Sequence, residues 1–104
     1  MNKFLISEEV RHFVDAILHS FCYPRRINDI RGEIKRVLKK EKGDASETNL
    51  MRIYFLVIHF LTEQKFGHGE DYVYLIDKKG MDLKEAGSLK AFEERYLNPP
   101  APWN

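Results

Sequence analysis

The stretch from Tyr72 to Ser88 limits the folds open to this chain more than any other. A β-branched and aromatic run, Tyr72-Val73-Tyr74-Leu75-Ile76, meets Asp77-Lys78-Lys79-Gly80, a brief amphipathic segment, and then Gly87-Ser88. The run is strand-like. Residues 77–88 admit two arrangements. In one, Asp77 caps a helix over 78–86, Gly87 stops it, and Ser88 caps a last helix reaching Tyr96. In the other, Asp77 to Gly80 form a hairpin turn, and 81–84 return against 72–76. Two caps and a glycine stop in one register favour the helix.

Three helical segments precede this stretch. Ser7 is a good N-cap, with Glu8 and Glu9 at the positive end of the helix dipole. Val10, Phe13, Val14, Ile17, Leu18 and Phe21 then recur at steps of three and four, until Cys22-Tyr23-Pro24 ends the helix. A second helix is expected from about Asn28 to Lys40, burying Ile27, Ile30, Ile34, Val37 and Leu38, with Gly43-Asp44-Ala45-Ser46 as the break. The third, from about Glu47 to Gln64, is apolar nearly all round between Leu50 and Leu61. Such a helix is either central to its domain or part of a second interface as well. Phe66 to Asp71, with two glycines, reads as a flexible turn. Residues 98–104, rich in proline, read as an extended tail behind a single domain over 1–97.

Leu75-Ile76-Asp77-Lys78-Lys79-Gly80, followed by Met81-Asp82-Leu83 and Gly87, resembles the closing pattern of small bacterial winged-helix proteins. There a Thr or Asp ends the wing strand and caps the next helix, and the glycine packs closely on the core. The match covers about residues 72–92; upstream it rests on helix count and order. It implies a mainly α fold with a small β wing, built as a winged-helix-like three-helix core with short C-terminal helices. It also implies double-stranded DNA as a partner. The usual reading helix is the one before the wing, yet here that helix is apolar, and the wing segment Gly67 to Asp71 carries Glu70 and Asp71.

Charge is unevenly placed. Residues 25–42 hold eight Arg and Lys against three Asp and Glu, in a chain whose net charge is only +1. Arg25, Arg26, Arg31, Lys35, Arg36, Lys39, Lys40 and Lys42 are therefore the candidate phosphate contacts. The same set serves equally well as a solvated helix face, softened by Asp29, Glu33 and Glu41. Tyr54, Phe55 and Phe60 on the third helix, with Trp103 on the tail, are the candidate interface residues for a homodimer or another protein.

Nothing points to catalysis. His12 and His19 sit two turns apart on one face, about 10 Å, too far to share a metal ion. Cys22 is the only cysteine, so no internal disulfide forms, and no phosphate-cradling glycine loop or nucleophile elbow is present. No catalytic residue, metal, cofactor or small-molecule substrate is expected. The longest apolar run, Ile53 to Ile58, is far short of the ~20 residues of a membrane span, and the N-terminal run is too short for a signal peptide. The cytoplasm is the expected compartment. The expected function is non-enzymatic: a regulator contacting DNA phosphates through the basic second helix or, alternatively, a protein-interaction or dimerisation module without DNA binding.

Overall fold

The computed structural model describes residues 2–24 and 26–98. It is mainly helical, with one small antiparallel sheet. In chain order the elements are α1 (Glu8–Ile17), α2 (Ile30–Lys40), α3 (Glu47–Glu63), β1 (Gly67–Glu70), β2 (Val73–Ile76), α4 (Lys78–Ala86) and α5 (Leu89–Phe92). A 3-10 turn, Leu18–Ser20, extends α1, and a wider π turn, Glu93–Leu97, extends α5.

The helices begin where their caps are. The Ser7 and Ser46 hydroxyls accept from the Val10 and Asn49 amides, and Asp29 accepts from Gly32. Each cap satisfies one amide that the first helical turn leaves without a partner. Asp29, rather than Asn28, thus starts α2. The three helices bury one stripe each, with Val14, Ile17, Ile34, Leu50 and Val57 fully enclosed among them. Ile27, expected in that core, is 67% exposed. It makes a single bridge to Leu75, as a third strand-like contact on the open edge of β2. Asn28 takes the buried place instead. Its amide donates to Tyr74 O, and its side chain accepts from the Cys22 amide and donates to the Cys22 and Arg26 carbonyls. One side chain thereby supplies the hydrogen bonds that a folded-back loop needs when water is excluded.

The hairpin corrects the sequence reading at both strands. Gly67–Glu70 is strand rather than flexible turn, paired in register with Val73–Ile76. The turn is Asp71-Tyr72, both left-handed at φ 48° and 65°. A two-residue turn of that hand matches the twist of its strands. Tyr72 is therefore the tip of the hairpin, outside the strand assigned to it. Gly67 is glycine because a β-carbon there would strike the Tyr74 ring, 2.6 Å away.

After β2 the chain forms a helix, as the caps favoured. Gly87 closes α4 at φ 93°, and the Ser88 hydroxyl accepts from Ala91 to start α5. Asp77 holds the N-cap position of α4 but makes no side-chain cap. Its carboxylate is drawn to His68 Nδ1, 2.8 Å away, on the neighbouring strand. Gly80 lies so close to the Phe66 carbonyl that no β-carbon fits between them.

The first and last described segments are tied together. Glu93, buried on the π turn, takes both the Arg11 guanidinium and the Phe4 amide, the latter at 2.6 Å. Burial works against its ionisation, but Arg11 and the Phe4 amide outweigh that and hold the carboxyl below its usual range. The resulting stabilisation is present above the unfolded pKa and is lost as pH falls through the lowered one. Asn98, expected in the tail, bonds to Asn2 in both directions, at 2.8 and 2.9 Å. The rest of the proline-rich tail lies outside the described residues.

These contacts are measurable by urea denaturation. Arg11→Ala leaves the buried Glu93 carboxylate without its cation and is expected to cost about 3 kcal/mol. Gly80→Ala is expected to cost about 2 kcal/mol through overpacking. Gly87→Ala, which meets open space but a strained backbone, costs about 1 kcal/mol.

Candidate interaction surface

Helix α3 carries two apolar stripes, with Arg52, His59 and Glu63 on the side left between them. One, Leu50, Ile53, Val57, Phe60 and Leu61, faces the core. The other, Met51, Phe55 and Ile58, recurs at steps of four and three beside it, with Ile58 still touching the core, flanked by Thr48 and Thr62. Met51 and Ile58 are half-buried and Phe55 is 61% exposed, so this second stripe stands out as a ridge.

Grooves flank the ridge. On one side a cleft of about 540 Å³ runs between α3 and the hairpin, lined by Tyr54, Ile58 and Thr62 opposite Gly69 to Tyr74. The hairpin is held at this distance by the Tyr74 hydroxyl, 3.1 Å from Thr62 Oγ1. Burial pushes the Tyr74 phenol up to about 12, against the lowering effect of the Thr62 bond. On the other side a cleft of about 670 Å³ lies between α3 and the N-terminal segment, walled by Phe4, Ile6, Leu56, Phe60 and Glu63 among others. The tip residue Tyr72 is fully exposed, beside Glu70 and Asp71. The rim of the ridge is therefore acidic where the hairpin meets it.

Of the basic residues of 25–42, Arg31 reaches this face. Arg31 pairs with Glu47 at 2.5 Å and donates to Met51 Sδ at 3.4 Å. Arg36 pairs with Glu33. Arg26, Lys39 and Lys40 are exposed and Lys35 half-exposed, and none of the four makes an ion pair among the described residues. Arg25 lies outside the described residues, and so does Trp103. Of the expected interface residues, Phe55 is exposed on the outer side of α3, and Tyr54, half-buried against the core, lines the hairpin groove. Phe60 does not: its ring packs against Phe4 and Phe66 at centroid distances of 5.2 and 5.9 Å, inside the core. The sequence reading missed Met51, Ile58 and Tyr72. The signal for the first two was the second three-four stripe, hidden by being read together with the first.

The histidines are dispersed. His12 sits on Glu41, His19 near Glu33, and His59 on Glu63. Among the described residues no three His, Cys, Asp or Glu side chains come together as a metal site, and no helix is long and apolar enough to cross a membrane. His68 lies between two carboxylates. Its Nδ1 meets Asp77 at 2.8 Å and its Nε2 meets Glu70 at 3.4 Å. The Asp77 bond first, then the Glu70 bond, raise its pKa above the ordinary 6.5.

Compared with known protein families, curated proteins and solved structures, this chain matches none.

The pH response of the hairpin originates in His68. Its folded pKa exceeds the unfolded one, so the His68–Asp77 stabilisation is fully present below the unfolded value and is lost as pH rises through the raised one. An NMR titration of the imidazole is expected to give a midpoint above 6.5. Asp77→Asn should bring that midpoint down.

Proposed function

We propose that this chain is a small cytoplasmic, winged-helix-like module that works without catalysis, by binding another protein through the outer face of α3 and the hairpin. Three helices, then a hairpin, then a closing helix whose glycine presses on the core carry the winged-helix reading. The cytoplasmic assignment is supported by Cys22, a lone, half-buried thiol. The observation that carries the function is the chemistry of the α3 ridge. A helix that reads DNA presents donors to base edges and cations to phosphates. This one presents Met51, Phe55 and Ile58, with Glu70 and Asp71 beside them. Apolar surface of this kind, rimmed by polar groups, suits a protein partner. An exposed tyrosine held in the left-handed region at the hairpin tip adds to it, since such conformations concentrate at binding sites.

A second reading has its own support. Arg26, Lys35, Lys39 and Lys40 leave part of α2 open to phosphates. Such contacts would be sequence-independent and salt-sensitive.

A benzophenone-bearing phenylalanine placed at position 55 and photoactivated in cells is expected to give adducts with protein. Adducts with nucleic acid would overturn the reading. In vitro, duplex DNA titrated at low salt is expected to show no shift that depends on Phe55 or Tyr72. A salt-sensitive shift abolished by Lys35→Glu, Lys39→Glu and Lys40→Glu together would establish the second reading.

A further inference from the structure

The ridge of α3 and the grooves beside it are complementary to themselves when one copy is turned end for end. We infer that the occupant of this face is a second copy of the chain, bound about a twofold axis with the two α3 helices antiparallel. This rests on the reading of the α3–hairpin face as a protein interface and names its partner.

Three features carry it. The first is shape. Met51, Phe55, Ile58 and Thr62 are spaced four, three and four apart, the interval of a seam between two packed helices. With the axis passing between positions 55 and 58, each Phe55 lies opposite the second copy's Ile58. That residue lines the 540 Å³ hairpin groove, so the exposed ring enters it. A twofold contact needs one patch that is both knob and hole, and this ridge beside its groove is both.

The second feature is charge along the N-terminal flank. Arg52, near the start of α3, is held out along that flank by Glu9 at 2.7 and 2.9 Å. Glu63 ends the helix on the same flank, at the wall of the N-terminal cleft. A twofold axis perpendicular to α3 brings like flanks together and reverses their ends. Arg52 of each copy then faces Glu63 of the other.

The third is charge along the hairpin flank. Arg31, paired with Glu47 in its own chain, sits over Met51 at the start of α3, with Lys35 one helical turn further along α2. Glu70 and Asp71 stand at the far end of the same flank. The same axis places the acidic hairpin of one copy against Arg31 and Lys35 of the other. The half-exposed Lys35, without an ion pair in its own chain among the described residues, thereby gains a partner. Both flanks are complementary in the antiparallel sense. A parallel twofold pairing would bring unlike flanks together at the same ends, setting Glu63 of one copy against the acidic hairpin of the other.

The test is sedimentation of the purified full chain over a range of concentrations. The expected result is a reversible species of twice 12.3 kDa. Phe55→Glu, at an exposed site, should leave the circular dichroism unchanged and weaken association at least about thirtyfold, as loss of a central aromatic anchor does. Lys35→Glu should weaken it about tenfold and steepen with falling salt. Adding Glu70→Lys to that variant should restore association. No ion pair joins Lys35 to Glu70 within one chain among the described residues, so rescue reports contact between copies. A mass of one chain at every concentration overturns the inference, as does failure of the charge swap to rescue. Photo-adducts at position 55 separate this from the broader reading. Adducts of twice the chain mass support the pairing. Adducts only with a different protein overturn it and leave the protein-interface reading standing. Adducts with nucleic acid overturn both.

Discussion

The fold depends on Phe66. Its ring lies fully buried among Phe4, Phe60 and Phe92, at centroid distances of 5.8, 5.9 and 5.2 Å, mostly edge to face. Such aromatic pairs add about 1 kcal/mol each beyond burial. Its backbone does as much as its ring. The amide donates to Leu61 O, closing α3 as Lys65 turns left-handed. The carbonyl accepts from the Asp77 amide, and Gly80 of α4 presses against it. The Lys79 ammonium lies 4.9 Å from the ring centroid. One residue thereby joins the N-terminal segment, α3, α4 and α5, and sets where the hairpin leaves the core.

That departure point determines the working surface. With Phe66 anchored, β1 starts against the C-terminal end of α3, and Tyr74 reaches Thr62 to hold the hairpin alongside. The hairpin then stops short of the outer stripe of α3. Had it folded over Met51, Phe55 and Ile58, that stripe would be covered. Instead a ridge remains between two grooves, with Glu70 and Asp71 at one end and the Arg31–Glu47 and Arg52–Glu9 pairs at the other. The surface is thus a by-product of how the core closes.

How far the site could be read from sequence varies residue by residue. Phe55 and Tyr54 were legible because α3 has more apolar positions than one face can bury. Phe60 was not separable from them, since a stripe of three-four spacing does not say which side the rest of the domain covers. Tyr72 looked like strand because it is aromatic and adjoins a β-branched run. Its place at the tip is decided by the register of Gly67 to Glu70 against Val73 to Ile76, which is a matter of pairing. The basic set at 25–42 was legible as charge but not as surface. Arg31 and Arg36 are engaged by Glu47 and Glu33, and only folding brings Glu47 within reach of Arg31.

The fold divides in the same way. Local chemistry written in the chain determined the helices and their ends: Ser7, Ser46 and Ser88 cap because their hydroxyls reach amides three residues on, and Gly87 stops α4 because it tolerates φ 93°. Tertiary structure alone decided the rest. It turned the glycines at 67 and 69 from loop into strand, moved Asp77 from cap to His68, and sank Asn28 while exposing Ile27. The reason is reach. Capping and periodicity act within about one helical turn. Burial, register and ion pairing are set by residues far apart in sequence, which meet only when the core around Phe66 closes.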